Sequence, residues 1–359
     1  MSYELKLQLF LSGALAFVTY FAVKSVNRTD RNMPFNQVQM LPMHISVLLA
    51  MALLTRGRFI NAEEIFQLLL RLLPFISVYY SLLLAAMPLC RKYLTPPSCV
   101  VLWLLPNFLY FYLVPGLSEL AEPLTVIFIS RCSLRVLGII WLAGFTAVMV
   151  WKVGSHLWFR RKITASSREI TDERILNLWN MAQAASNMDP WIYTRPVYSS
   201  AVTSPLSIGL WRITTLLVLP EKEYTPEELS LIFRHEIVHI ERRDAANKLF
   251  LAFCTALCWF NPFMWKSTAA CSADLELSCD QTVLALADHN TRQKYARLIL
   301  DTAGDARGFT TCLSASAQSL RYRLKRILTP VSLHGGTFFL PLVTFALSMS
   351  VGLMTISVK

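Results

Sequence analysis

Charged residues are scarce in this sequence. Only 16% of its 359 residues are Asp, Glu, Lys or Arg, whereas 54% are hydrophobic, and the mean hydropathy is +0.45. A chain of this length could form two or three ordinary domains, but a soluble surface carries more charge than this. The composition therefore indicates a polytopic membrane protein.

The usual signs of a disulfide scaffold and of nucleic-acid recognition are also missing from the sequence. None of the eight cysteines forms a Cys-x-x-Cys pair, which favours reduced thiols that pack as small hydrophobic groups. The net charge of +11 could suggest nucleic acid, but the basic residues are spread along the chain and crowd the ends of apolar runs. Cationic flanks that face anionic lipid explain this pattern better, so we expect no direct contact with nucleic acid.

Long uncharged runs are what the sequence does contain. A helix needs about 20 apolar residues to cross a bilayer, and several runs approach this length. Residues 1–151 are predicted to hold about five spans, and residues 337–359 a C-terminal transmembrane helix. The predicted spans are residues 7–23, 37–54, 72–89, 98–116, 136–151 and 337–358.

The polar region between these spans, residues 152–336, is long enough for a soluble domain. A basic cluster, Lys152 with residues 160–162, follows the fifth span and predicts that this domain faces the cytoplasm. Four arginines then fall on the unexpected side of the membrane, namely Arg56, Arg58, Arg131 and Arg135. Within the domain, the apolar residues 249–265 are short for a span and are predicted to form a membrane-associated helix.

The sequence His-Glu-Ile-Val-His carries the clearest chemical signal. Residues four apart lie on one face of an α-helix, so His235 and His239 could bind one metal ion with Glu236 beside it. A catalytic zinc keeps three protein ligands and an open position for water, and the carboxylate of Glu236 would take the proton of that water. The Thr-Pro-Glu-Glu sequence at residues 225–228 predicts the N-cap, first-turn proline and capping box of this helix.

A third metal ligand has to come from another helix. Glu276 and Asp280 are four residues apart, so the first could bind zinc while the second accepts a hydrogen bond from a ligating imidazole. Asp274 is expected to point elsewhere, and Asp244 could orient His239 or cap the end of its helix. The alternative is an acidic helix face that is merely solvated.

Three further residues, His289, Arg292 and Tyr295, could stabilise the oxyanion of a tetrahedral intermediate. The sequence does not choose among them.

Upstream of the metal-binding helix, another helix is predicted over residues 169–188.

Two strand-like runs, residues 192–198 and 213–219, precede the metal-binding helix, and Ser204-Pro205 with Gly209 separates them. The second run could be an edge strand that holds an extended peptide by main-chain hydrogen bonds. An ordinary core strand is the alternative.

These residues resemble the BlaR/MecR-type membrane metallopeptidases, gluzincins that act as antirepressors in bacterial β-lactam resistance. The resemblance extends over roughly residues 130–330, where five motifs occur in the same order. They are Ser204-Pro205 with Gly209, Leu219-Pro220, residues 235–239 followed by Arg242-Arg243-Asp244, residues 259–262, and Glu276 with Cys279-Asp280.

The resemblance implies a polytopic α-helical membrane protein with an inserted α+β gluzincin-type zinc metallopeptidase domain. It implies Zn²⁺ held by His235, His239 and Glu276, with Glu236 as general base and Asp280 as an outer partner of the ligands. It also implies cleavage of a cytoplasmic winged-helix repressor, often after self-cleavage. Drug-sensing relatives carry a penicillin-binding domain with a Ser-x-x-Lys motif after their last span. No such motif occurs after Thr337 in this sequence, so we expect another trigger or a partner that senses.

Two other functions are alternatives. The chain could be a membrane signalling scaffold whose metal site is not catalytic, although such a site has no use for the carboxylate of Glu236. It could also be a membrane gluzincin that processes membrane or exported proteins. The expected partners are a peptide or protein substrate and the lipid bilayer, and a homodimer is left open.

Overall fold

A computed structural model of the chain is mostly helical and describes residues 3–29, 39–58, 62–113, 125–186, 188, 194–209, 215–302, 317–351 and 354–358. The helices are α1 (Tyr3–Thr29), α2 (Met40–Leu54), α3 (Ala62–Tyr93), α4 (Pro96–Leu104), α5 (Arg131–Ala165), α6 (Glu173–Ala184), α7 (Pro226–Arg242), α8 (Asp244–Leu257), α9 (Pro262–Val283), α10 (His289–Thr302), α11 (Ala317–Leu328) and α12 (Phe339–Ser350). The strands are β1 (Thr125–Ile129), β2 (Ser167–Glu169), β3 (Arg195–Ser199), β4 (Leu206–Ile208), β5 (Leu216–Leu219) and β6 (Met354–Val358).

In the part of the chain that the structure describes, three helices are long and apolar enough to cross a membrane. They are Leu5–Lys24 in α1, Glu63–Tyr93 in α3 and Arg131–Ala165 in α5, and they overlap the first, third and fifth predicted spans. Helices α2 and α12 are also apolar but shorter. In the most apolar stretch of α5, 0% of the residues are buried within the protein, so this helix leaves a large apolar surface uncovered.

The fourth predicted span, residues 98–116, is not one continuous α-helix. Helix α4 gives way at residue 105 to a 3₁₀ segment, Leu105–Leu113, because Pro106 has no N–H for the carbonyl of Leu102. The Tyr79 hydroxyl donates to that carbonyl instead, at 2.6 Å. Nine α-helical and nine 3₁₀ residues rise by about 31 Å together, close to the thickness of a bilayer core.

The C-terminal helix is shorter than the predicted span over residues 337–358. Helix α12 has 12 residues and ends at Ser350, and residues 354–358 form β6, which pairs in parallel with β1. The β-branched residues of both segments favour strands over helix. Helix α12 packs antiparallel to α1 through polar contacts, since Ser12 bonds Ser348 at 2.8 Å and Thr19 bonds Thr344 at 3.1 Å.

The structure divides the apolar residues 249–265 between two helices. Helix α8 ends at Leu257 and α9 begins at Pro262, because the Asn261 side chain accepts from the Phe263 amide and so caps a new helix. The side chains of α8 between Phe250 and Leu257 are buried against α5 and the core rather than spread on a surface. Contact between this segment and a membrane stays a prediction.

A small mixed sheet lies beside α7. Its strand order is β2-β3-β5-β4, with β3 and β5 parallel and the two outer strands antiparallel to their neighbours. Strands β3 and β5 confirm the two predicted runs, although residues 192, 193, 213 and 214 lie outside the described part of the chain. The idea that β5 is an edge strand is wrong, because it pairs on both sides. Among the described strands, β4 lies at the edge of the sheet next to α7.

A buried ion pair connects the apolar helices to α9. The guanidinium of Arg91, at the end of α3, donates to both carboxylate oxygens of Asp274 on α9, at 2.7 and 3.0 Å. The indole of Trp103 on α4 donates to the same carboxylate at 2.7 Å. Asp274 therefore points away from the other acidic residues of α9, as predicted, and joins this helix to α3 and α4.

We expect the replacement of Arg91 to destabilise the protein more than the replacement of Asp274. Arg91→Gln leaves the carboxylate of Asp274, which is 1% exposed, without the guanidinium, and such a loss costs about 3–5 kcal/mol. Asp274→Asn should cost less, because the side chain of Arg91 is 26% exposed and can turn to water, while the new amide oxygen still accepts from Trp103.

Thermal unfolding of the purified chain in detergent measures this difference, with the exposed neighbour Lys92→Gln as the control. Equal losses for the two variants would show that the buried charge is not what makes the pair important.

Candidate metal centre

Helix α7 presents the two histidines to the protein interior. The Thr225 hydroxyl accepts from the Glu228 amide and the Glu228 carboxylate accepts from the Thr225 amide, so the predicted capping box is present. The helix ends at Arg242, and the next residue, Arg243, has a left-handed φ of 53° that turns the chain directly into α8. His235 and His239 both lie on the buried face.

The neighbouring helix α9 is fixed against α7 by the guanidinium of Arg242. It donates to the hydroxyl of Ser278 at 2.6 Å and also to the hydroxyl of Thr282. Arg234 adds a bond to the carbonyl of Val283 at 3.0 Å. These bonds hold the acidic face of α9 opposite the histidines.

The three predicted ligands converge. The Nε2 atoms of His235 and His239 are 3.1 Å apart, and Oε2 of Glu276 is 3.7 Å from each of them. Two ligands of one tetrahedral zinc ion, at bonds of roughly 2.0–2.2 Å, lie about 3.3–3.6 Å apart. The spacing of these atoms is therefore close to what a shared metal ion requires.

Polar atoms without hydrogen-bond partners support the same use of the site. Within the described residues, both carboxylate oxygens of Glu276 and Oε2 of Glu236 are buried and have no hydrogen-bond partner. Buried polar atoms are nearly always hydrogen-bonded, so such orphans need an explanation. A metal ion on Glu276 and a water or substrate group on Glu236 would provide one, and the residues present fit a bound metal.

A hydrogen-bond partner at the other ring nitrogen, Nδ1, orients each histidine. Nδ1 of His239 lies 2.6 Å from Oδ2 of Asp244, which is the role that the sequence suggested for this aspartate. Nδ1 of His235 lies 2.7 Å from the hydroxyl of Tyr295, which in turn donates to Asp280 at 2.8 Å. Asp280 itself is 3.9 Å from the ring, so the predicted direct bond to the imidazole is wrong and Tyr295 mediates the contact.

A buried arginine that sequence reasoning missed completes the polar cluster. Arg323, on α11, is 0% exposed and donates from Nε and Nη2 to the two oxygens of Asp280, each at 2.8 Å. Its Nη1 lies 3.3 Å from Oε2 of Glu276. Helix α11 carries several other basic residues, and nothing in the sequence distinguishes this one from them.

Cys279 is a second group that could bind metal. Its sulfur lies 3.2 Å from Nδ1 of His235 and forms a cluster with both histidines. However, Nδ1 is on the opposite edge of the ring from the Nε2 that faces His239. Glu276 lies on the Nε2 side, which makes it the better third ligand.

The charges of this cluster shift the protonation of its members. Burial lowers the pKa of His235, but Cys279 and Glu276 outweigh it and raise that pKa to about 10. Burial raises the pKa of Glu276, yet the charges of His239 and Arg323 hold that pKa well below its usual range. The site thus favours an ionised carboxylate and attracts positive charge.

The other candidate residues are engaged elsewhere. His289 bonds Gln293 on the surface, and Arg292 donates to three main-chain carbonyls, so both have structural partners. Tyr295 is the one of the three predicted oxyanion donors that reaches the site, where it supports His235. An apolar pocket opens beside Glu236 and is lined by Pro205, Ile232, Leu298, Ile299 and Thr302.

Two histidines and a glutamate that converge from two helices, beside a second buried glutamate and an apolar pocket, have the arrangement of a metal-dependent peptidase. The model of the BlaR1 peptidase M56 family matches residues 117–327. The chain belongs to this metal-dependent family.

Named relatives agree with the assignment. The regulatory protein BlaR1 of Bacillus licheniformis is 24% identical over 195 residues, which are 54% of this chain and 32% of the relative. The methicillin resistance mecR1 protein of Staphylococcus aureus is 30% identical over 107 residues, 29% of this chain and 18% of the relative. The aligned stretches thus span about a third or less of the relatives' length.

Substitution of Glu276 and of Cys279 should separate the two candidate ligands. We expect Glu276→Gln to weaken metal binding by about tenfold or more, since a neutral amide replaces the buried carboxylate, whereas Cys279→Ser should retain it. The measurement is titration of the metal-stripped chain with Zn²⁺, followed by absorption spectra with Co²⁺.

The cobalt spectrum also shows whether Cys279 is a ligand. If cobalt gives a near-ultraviolet thiolate band that Cys279→Ser abolishes, and Glu276→Gln binds normally, then the third ligand is the cysteine.

Proposed function

We propose that this chain is a zinc-dependent integral membrane endopeptidase that cleaves a regulatory protein, itself, or both. The observation that carries the proposal is the convergence of His235, His239 and Glu276 around one point, with Glu236 buried next to them. A structural metal site would not need the carboxylate of Glu236. The scaffold alternative therefore has less support.

Each residue has a separate task in the proposed hydrolysis. Zinc, when bound, would supply a Lewis acid that polarises the peptide carbonyl and makes water more acidic. Glu236 takes the proton of the attacking water on its free Oε2 and delivers it to the leaving amine. Asp244 and Tyr295 keep the two imidazoles oriented, so that their Nε2 atoms stay directed to the same point.

The substrate side of the site is formed by β4 and the pocket near Glu236. Strand β4 is the sheet edge that lies against α7, so an extended peptide could pair with it and pass the catalytic carboxylate. Such a mode selects for unfolded or extended segments. A winged-helix repressor with an accessible linker is the substrate that we propose, in keeping with the regulatory and resistance names of the relatives.

Replacement of the general base should abolish cleavage and spare the metal. Glu236→Gln has nearly the same shape but cannot take a proton, so we expect at least about a 100-fold lower rate with an unchanged zinc content. The assay compares the full chain with its variant in nanodiscs, on two substrates: the chain itself and a purified winged-helix regulator encoded beside it. Mass spectrometry of the products would locate the scissile bond.

Two results would contradict the proposal. Cleavage by Glu236→Gln at the wild-type rate would remove the proposed base. Full zinc occupancy with cleavage of neither substrate by the wild type would favour the scaffold.

We further propose that the protein lies in the bacterial cell membrane with the catalytic domain facing the cytoplasm. Cys132, which is exposed at the start of α5, is at the end of that helix opposite the catalytic domain. In intact cells a membrane-impermeant maleimide should therefore label Cys132, with Cys132→Ser as the blank. A cysteine introduced by Arg174→Cys on α6, where Arg174 is 92% exposed, should react only after the membrane is opened. The reverse pattern would place the catalytic domain outside.

A further inference from the structure

Arg323 contacts both acidic residues of α9 that face the histidines. Two of its nitrogens bond the carboxylate of Asp280 at 2.8 Å, and the third, Nη1, is 3.3 Å from Glu276. Among the described residues, Nη1 has no partner in hydrogen-bond geometry although it is buried. The guanidinium therefore lies between the two carboxylates, hydrogen-bonded to Asp280 and ion-paired with Glu276 through its third nitrogen.

The cost of burying these carboxylates shows why the arginine matters. Glu276 and Asp280 are 5% and 3% exposed and lie one helical turn apart, and two anions so placed repel each other strongly without a cation. Lys248 lies 3.7 Å from Oε1 of Glu276, so a cation also faces the other oxygen of this carboxylate. Glu276 thus has a cation near each of its carboxylate oxygens, and its Oε2 lies 3.7 Å from the Nε2 atoms of both histidines.

The same arginine reaches His235 through a chain of hydrogen bonds. Arg323 holds Asp280, Asp280 accepts from the hydroxyl of Tyr295, and this hydroxyl lies 2.7 Å from Nδ1 of His235. Without the guanidinium, the proposed ligand Glu276 would lose its ion pair. The other proposed ligand, His235, would lose the hydrogen-bond chain that orients its ring.

We propose that Arg323 is a positioning residue of the metal centre, which sets the geometry of Glu276 directly and that of His235 through Asp280 and Tyr295. This inference rests on the proposed zinc site. The alternative is that Arg323 acts merely as a counter-charge to the two carboxylates. The two roles make opposite predictions, because a lysine preserves the charge but cannot make the two-point contact of a guanidinium.

Zinc affinity of the full chain in nanodiscs is the test. The metal-stripped protein is titrated with Zn²⁺ in competition with a chelator, and the visible spectrum with Co²⁺ reports the geometry of the ligands. If Arg323 positions the ligands, Arg323→Gln and Arg323→Lys should each bind zinc about 10- to 100-fold more weakly and give an altered cobalt spectrum. Arg321→Gln, an exposed arginine of the same helix, should bind as the wild type does.

Other results would overturn the inference. If Arg323→Lys binds zinc as the wild type does, or Arg323→Gln binds it equally or more tightly, Arg323 is a counter-charge and the inference is overturned. If Arg323→Gln does not fold, Arg323→Lys decides, since it keeps the buried positive charge. Failure of the wild type to bind zinc would overturn the proposed function as well, whereas normal binding by the wild type and both variants overturns the role of Arg323 alone.

Discussion

Burial of negative charge on α9 is the constraint on which the rest of this structure depends. Asp274, Glu276 and Asp280 are all nearly inaccessible, and isolated carboxylates are very unfavourable in a protein interior. Each has a cationic partner from elsewhere in the chain, namely Arg91 for Asp274 and Arg323 for Asp280, with Lys248 and Arg323 near Glu276. Helix α9 can occupy the centre of the protein because other helices bring positive charge to it.

These partners come from opposite sides of the helix, and this arrangement joins the apolar helices to the candidate metal centre. Asp274 bonds α3 and α4, while Glu276, two residues later, faces the histidines of α7. Helix α11 touches both regions, because Arg323 reaches into the site and Arg326 donates to the carbonyl of Arg91 at 2.6 Å. The end of α3 is therefore hydrogen-bonded to α9 and α11, the two helices that carry Glu276, Asp280 and Arg323.

Local sequence signals explain what could be predicted. The cap of α7, its two histidines and the spacing of Glu276 and Asp280 all involve residues within a few positions of each other, where helical periodicity determines which side chains share a face. The role of Arg323 could not be predicted, because this residue lies 43 residues from Asp280 along the chain and only the packing of α11 brings the two together. The place of Tyr295 between Asp280 and His235 likewise depends on how α10 packs.

The extent of the apolar spans was harder to predict for another reason. Hydropathy reports how apolar a run is, but not how its backbone groups are satisfied. The tyrosine hydroxyls of α3 that bond carbonyls near Pro106 are what allow α4 to continue as a 3₁₀ segment, and they belong to a different part of the chain. Similarly, the pairing of β6 with β1 involves strands more than 200 residues apart in the sequence, so the short length of α12 could not be read from its composition.

The part of the chain that matches the family contains the whole site. His235, His239, Glu276, Asp280 and Arg323 all lie between residues 117 and 327. Arg91 and Trp103, which hold α9 against the apolar helices, lie before this stretch. The proposed chemistry therefore belongs to the segment shared with the family, whereas the contact that connects this chemistry to the N-terminal helices belongs to a segment that the family model does not match. Asp274 is the residue at which the two segments meet, because its carboxylate accepts hydrogen bonds from Arg91 and Trp103 while its helix carries Glu276 and Asp280.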